Sequence, residues 1–362
     1  MARPNLEITK SILSDEPLNV LILNYDALNP LAHEWAHILN DGTGQVTLIN
    51  HRSSIVCRES ELEVIDISEI KGVKNRPIDV MFLPWLPSRK FLATTFLVWL
   101  NNSRPNVFWI DHNPATGRDR EGLVLRFLRK SGSTKIHRLV HTGKTMGENQ
   151  PLLPAIPHPI FSHAFENLKN DYTNQKKERL TISFIGRLDD QKGINSLPRI
   201  ARLISKAIGK PILWKIAGNN PNIDYVKAII QEIEEIPDVF VESHIYGKNC
   251  PDELIYKSLV TSHFLIAPYN RITASGTFAL ALACSTQIVC LGESEPLGLE
   301  PFLGKSIHCI DESQLVKFLQ TNEHKKITPD IQKNDIALHN KDCHDHFISV
   351  VNTIRKNNGE KV

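Results

Sequence analysis

The chain has no run long enough to cross a bilayer: none of its 362 residues falls in a window of about 18 uninterrupted apolar positions. Its first residues, MARPNLEITKSILSDEP, carry no apolar core of signal-peptide length. Cysteine is sparse and scattered. Cys57, Cys250, Cys284, Cys290, Cys309 and Cys343 form no CxxC pair and no disulfide-rich spacing, which fits reduced, buried thiols in a cytosolic protein. An excess of either charge is missing too. A formal net charge of +2 makes no case for bulk nucleic-acid binding, so any basic function has to be local. There are no internal repeats and no low-complexity segments.

With 41% hydrophobic and 23% charged residues the composition is that of an ordinary globular protein, and the length suits about two domains, each with its own core. Short apolar runs of the kind buried in parallel sheets recur at 19–24, 45–50, 79–83, 106–111 and 136–141. Helical patterns lie between them at 31–40, 91–100 and 120–130, so the first half reads as βαβ units. A polar stretch, roughly 167–179, reads as a linker. The alternation then resumes more cleanly, with strands predicted at 180–186, 212–217, 238–242, 263–267, 287–291 and 306–310. Gly218-Asn219-Asn220-Pro221 reads as a sharp turn, and 336–356 as a long final helix. The expected architecture is two α/β domains in series, 1–166 and 180–335, with a terminal helix at 336–362.

The stretch TISFIGRLDDQKG, Thr181 to Gly193, organises the second half. A β-rich run ends in Gly186; Arg187 comes next, then Lys192 and Gly193 at the start of the helical pattern INSLPRIARLISKAI. A strand, a glycine turn and a helix place N–H groups and cations where an anion can sit, and two cations there suit a diphosphate. The alternative is a surface turn with solvated charges. Further on, Ser275-Gly276-Thr277 opens an Ala/Leu-rich helix whose amino end offers N–H groups and a favourable dipole to phosphate, or a plain serine cap.

In order and spacing, FIGRLDDQKG, WKIAG, PDELIYKSL and PYNRITASGTFALALACSTQIV resemble the C-terminal domain of nucleotide-sugar glycosyltransferases of the GT-B fold, family 4-like. LNPLAHEWAHIL, NVFWIDHN and IPHPIF resemble that superfamily's N-terminal domain. Retaining members usually carry two glutamates with seven residues between them around the SGT helix. Ile272 and Leu280 stand at the corresponding places, and the chain is similar instead to the subgroup with a PY…SG…LALA pattern. That departure leaves the stereochemistry and any acidic catalytic residue open.

The resemblance implies two Rossmann-like domains facing across a cleft, with the C-terminal helix packing back on the first. It also implies a hexosyltransferase that needs no metal or other cofactor, with a nucleoside-diphosphate sugar as donor. Arg187 and Lys192 would neutralise the leaving diphosphate, with Gly186, Tyr269 and Ser275 to Thr277 about the phosphates or ribose, and Gly218 and Tyr246 near the base. The acceptor, a glycan or lipid-linked saccharide, would meet the first domain. There His112 at a strand end is the expected base, Asp111 the alternative base or its orienter, and Asn29 and His33 face the acceptor.

Two patterns compete. His33-Glu34-Trp35-Ala36-His37 satisfies the HExxH zinc pattern, with Glu59, Glu61 or Glu63 as a third ligand by spacing, but a helix after a first parallel strand also needs an amphipathic packing face. Asp342 to His346 is rich in ligand types, although consecutive residues point around a helix. Residues 118–144 hold eight basic side chains, among them Arg126, Arg129 and Lys130. They read as a solvated face, or as a contact with anionic lipid headgroups at the inner face of a membrane or with a lipid-linked diphosphate acceptor, and without an aromatic platform not as a nucleic-acid surface. A GT-B homologue that binds without catalysing is the remaining alternative.

Overall fold

The computed structural model describes residues 18–23, 30–40, 45–50, 63–66, 77–84, 105–111, 136–140, 156–163, 179–269, 275–292, 298–322 and 329–357. These residues form two six-stranded sheets. The first holds β1 (Val20–Leu23), β2 (Val46–Asn50), β3 (Glu63–Asp66), β4 (Val80–Leu83), β5 (Asn106–Asp111) and β6 (Ile136–Val140), in the order β3-β2-β1-β4-β5-β6. The second holds β7 (Leu180–Arg187), β8 (Ile212–Asn219), β9 (Val239–Tyr246), β10 (Phe264–Ala267), β11 (Gln287–Leu291) and β12 (Ile307–Ile310), in the order β12-β11-β10-β7-β8-β9. All neighbouring strands pair in parallel. Counted from its own first strand, each sheet therefore has the 3-2-1-4-5-6 order of a dinucleotide-binding domain, a duplication of topology that leaves no trace as a sequence repeat.

The reason lies in the runs themselves. VLIL in β1, VMFL in β4 and QIVCL in β11 are buried at every position, as strands covered on both faces must be. Helices α1 (Pro30–Asn40), α2 (Leu197–Ile208), α3 (Ile223–Glu234), α4 (Asp252–Val260), α5 (Gly276–Ala283) and α6 (Glu312–Asn322) lie between or after strands. In α2, Leu197, Pro198, Ile200, Ala201 and Ile204 form the buried stripe against the sheet.

Helix α7 (Pro329–Asn357) belongs to both halves. It starts beside the second sheet, where Lys305 pairs with Asp335 and the ring of Phe302 meets His339. It ends on the first, where Phe347 packs among Trp35, Phe82 and Phe108 with ring centroids 4.8–5.9 Å apart. The two parallel-sheet lobes and the returning helix expected from the sequence are thus the fold that forms. No helix among the described residues is long and apolar enough to cross a membrane.

Three local expectations are corrected or fall outside view. Gly218 is not in a turn: β8 continues through Asn219, because Gly218 pairs with Gly186 on one side and Ile245 on the other. The helix expected from Ile194 starts at Leu197, since Gly193 in the left-handed region and Pro198 in the first turn delay regular winding, and short 3-10 turns fill 190–196. The helices expected at 91–100 and 120–130, and nearly all of the linker at 167–179, lie outside the described residues.

Candidate functional site

In a sheet of this order the first and fourth strands are neighbours, yet the chain leaves them in opposite directions, and a crevice opens at their carboxyl ends. In the second half those strands are β7 and β10. Each leads into a loop anchored to the other. After β7, Asp189 caps a 3-10 turn by accepting a hydrogen bond from the Lys192 N–H at 3.0 Å. Gly193 then takes φ 77° and lies against the backbone after β10: a Cβ there would sit 2.0 Å from the Pro268 carbonyl oxygen. Only glycine allows this contact, and the contact fixes Lys192 beside Tyr269 and the amino end of α5.

The Lys192 ammonium donates to Thr277 Oγ1 at 3.1 Å and to the Tyr269 hydroxyl at 3.4 Å, and stands 4.9 Å from the Tyr269 ring centre. Gly186 makes room for this group, since a Cβ on it would come within 3.1 Å of Lys192 Nζ and 3.2 Å of Thr277 Oγ1. Burial, then the charge of Arg187, bring Lys192 down to about 8 against an opposing pull from Asp189. Among the described residues no carboxylate reaches it within ion-pair distance. Buried Tyr269 stacks on Phe278, and desolvation pushes its phenol upward, so it stays protonated beside the ammonium.

The amino end of α5 completes the corner. Ser275 stands at the cap position in extended conformation, but its hydroxyl makes no capping bond, so the helix's leading N–H groups keep their capacity for an outside acceptor. Phe161, from the segment 156–163, covers this end, its ring 3.5–3.6 Å from where a Gly276 Cβ would be. The sequence offered no sign of that contact beyond the IPHPIF string. Arg187 behaves differently from Lys192: it is exposed, pairs with Asp189 of its own loop and donates to Gln191 at 2.8 Å.

The structure therefore brings Gly186, Lys192, Tyr269, Ser275, Gly276 and Thr277 together, with Arg187 on the rim. Gly218 abuts them: a Cβ there would meet the Gly186 carbonyl oxygen at 1.8 Å. Tyr246 ends β9, the outermost strand on that side, at the same carboxyl edge. On the first sheet Asp111 ends β5, next to β4 at that sheet's own switch point, while His112 and Asn29 lie outside the described residues. His33 is buried within α1, 2% exposed.

In the HExxH helix the glutamate is tied to two other segments. Glu34 is fully buried, and its carboxylate accepts from Ser162 Oγ at 2.7 Å, the His163 N–H at 3.0 Å, His163 Nδ1 at 2.9 Å and Asn340 Nδ2 at 3.1 Å. His37 stacks on the His163 ring. Glu63 is engaged elsewhere, accepting from Thr47 and Gln45, and Glu59 and Glu61 lie outside the described residues. In the Asp342–His346 run, Cys343 is buried, His344 meets Asp345 and His346 meets its own helix backbone. Among the described residues no group of three His, Cys, Asp or Glu side chains is arranged to hold a metal ion.

Two lobes of this topology, the second with a cationic corner at its switch point, define the two-domain GT-B class of fold, and solved structures of that class are what the chain is similar to. It superposes on an alpha-glucosyltransferase in complex with UDP and a 13-mer DNA containing an HMU base, with a TM-score of 0.60 at 14% identity over 93% of this chain and 100% of that one. An alpha,alpha-trehalose 6-phosphate synthase from Burkholderia multivorans gives 0.52 at 11% over 95% and 98%. HepE from Anabaena in complex with UDP gives 0.51 at 11% over 94% and 98%. No protein-family model and no curated protein matches the sequence.

Proposed function

We propose that this protein is a glycosyltransferase that moves a hexose from a nucleoside-diphosphate sugar to a hydroxyl of a glycan or lipid-linked saccharide. The observation that carries the reading is the Lys192 ammonium, held at the switch point of the second sheet against Thr277 and the uncapped amino end of α5. Glycosyl transfer develops charge on the departing diphosphate, and a preorganised cation with aligned N–H dipoles stabilises charge where it develops, without a metal ion. Lys192 and the α5 end supply both; Arg187 closes over the diphosphate from the rim by leaving Asp189. Phe161 keeps water from the α5 end. The UDP bound in the alpha-glucosyltransferase and in HepE supports a uridine nucleotide as the first donor to test.

The acceptor hydroxyl enters from the first lobe, where His112 is the proposed base and Asp111 its orienter or substitute. Residues 118–144 are proposed to hold the enzyme at an anionic, cytoplasmic membrane face, bringing a lipid-linked acceptor within reach. Salt-sensitive binding to anionic vesicles, lost on neutralising Arg126, Arg129 and Lys130, is the expected result; salt-insensitive binding tells against it.

Calorimetric titration with UDP and UDP-glucose tests the donor site. Binding that weakens at least about tenfold in Lys192→Met and in Thr277→Val, with circular dichroism unchanged, is expected. Unaltered binding in both variants removes the assignment. Leu280, at one of the places where related enzymes carry glutamate, is an apolar residue of α5, 7% exposed, and gives a binding-only protein its one specific support. Release of UDP from UDP-sugars in the presence of acceptor glycans separates the two readings.

A further inference from the structure

The last two strands of the second sheet each carry a cysteine at the same register position. Cys290 of β11 pairs with Cys309 of β12, and on its other side with Ala267 of β10, so the three side chains stand in one row on one face. Neighbouring strands run about 4.8 Å apart, inside the window of about 4.4–6.8 Å between Cα atoms that a disulfide spans. The pair is asymmetric. Cys290 is wholly buried, whereas Cys309 is exposed on β12, the four-residue strand at the edge of the sheet.

Their proximity across the paired strands holds Cys309 below the ordinary thiol range despite partial burial, and pushes Cys290 up, together with desolvation. The other described cysteines, Cys250, Cys284 and Cys343, are buried.

We propose that Cys309 and Cys290 are an attacking and a resolving thiol that together form an exchange site for low-molecular-weight disulfides. The Cys309 thiolate attacks one sulfur of RS–SR, forming Cys309–S–S–R and releasing RS⁻, which takes a proton from solvent to replace the one Cys309 gave up. Cys290 then attacks the Cys309 sulfur; the mixed disulfide breaks, and its RS⁻ leaves with the Cys290 proton as RSH. Two protein thiols are oxidised to one cross-strand disulfide, and one RS–SR is reduced to two RSH. The row ends two residues short of Tyr269, so the bond forms at the edge of the sheet that carries the anion corner. This chemistry is independent of what that corner binds.

The full chain is incubated with oxidised glutathione at neutral pH, quenched in acid, alkylated and mapped by mass spectrometry. The expected result is the loss of two alkylatable thiols, with the Cys290 and Cys309 peptides joined. Cys290→Ser should stop at a single glutathione adduct on Cys309, and Cys309→Ser should leave Cys290 unmodified. A wild-type chain that keeps its adduct on Cys309 while Cys290 remains alkylatable overturns the proposal. So does a disulfide that involves Cys57 or any other cysteine, or no reaction at Cys309. The wild-type map decides this even if a serine variant misfolds.

Discussion

Lys192 donates a hydrogen bond to the side chain of Thr277, 85 positions further along the chain, at 3.1 Å. Burial and Arg187 have already lowered that ammonium to about 8, so in the free protein it loses its proton as pH rises through that value. A bound diphosphate favours the charged form and raises the group again. Above about pH 8, association must therefore take up a proton, and affinity for UDP should fall with pH, approaching tenfold per unit. Calorimetric dissociation constants on either side of that pH check this. Lys192→Met should lower affinity and flatten the profile together; a wild-type profile that is already flat would place the diphosphate elsewhere.

Two glycines with the same backbone sign should respond differently to alanine. Gly193 (φ 77°) is pressed on Pro268, whereas Gly209 (φ 62°) caps α2 with nothing within 4 Å of its missing Cβ. Gly209→Ala meets only the left-handed penalty, about 1 kcal/mol. Gly193→Ala must in addition move the loop off β10, which should raise the loss to several kcal/mol, on the order of the large single-site effects. Urea titration of both variants measures the difference. Because the displaced loop carries Lys192, UDP binding should fail in Gly193→Ala and survive in Gly209→Ala.

How much of this corner was legible in the sequence depends on distance along the chain. Gly186, Lys192 and the Ser275–Thr277 helix start were readable because a strand, a turn and a helix write their periods and breakers locally. Gly218 was misread for the same reason: Gly-Asn-Asn-Pro is turn chemistry, and nothing local shows that a neighbouring carbonyl oxygen 1.8 Å from a Cβ demands glycine within a strand. Phe161 over Gly276, Asn340 on Glu34 and the Cys290–Cys309 register are contacts between segments far apart, and no periodicity encodes them. The HExxH string was legible, but the tie its glutamate makes to 156–163 and to α7 was not.

Glu34 ties α1 to the 156–163 segment and to α7. Asn340 is the other half of the tie, accepting from the Ile160 N–H at 2.9 Å while donating to the Ile160 carbonyl at 3.0 Å. Burial works to raise the Glu34 carboxyl, but the hydrogen bond and charge of His163, with Ser162 and the His163 N–H, outweigh it and hold the group below 4.5. For an acid depressed in the folded state the stability is complete above the unfolded value and is lost as pH falls through the folded one. Glu34→Gln should therefore lose about 1–3 kcal/mol at neutral pH and show a shallower decline below about pH 4.5 than the wild type. Parallel acid-unfolding curves for the two proteins would mean that the carboxylate is not ionised.

Phe347 and Leu338 lie on the same helix, α7, and test what holds it down. Phe347 is fully buried among Trp35, Phe82 and Phe108, whereas Leu338 is 62% exposed. Truncating Phe347 to alanine removes an aromatic from a packed cluster and leaves a cavity, which costs about 3–5 kcal/mol. Leu338→Ala buries nothing less than before and should stay within about 0.5 kcal/mol. Because the cluster joins α7 to α1, β4 and β5, the Phe347 loss should appear as a shift in the fluorescence of the first lobe's tryptophans at lower urea. Equal effects of the two substitutions would mean that the Phe347 cluster does not hold α7 on the first lobe.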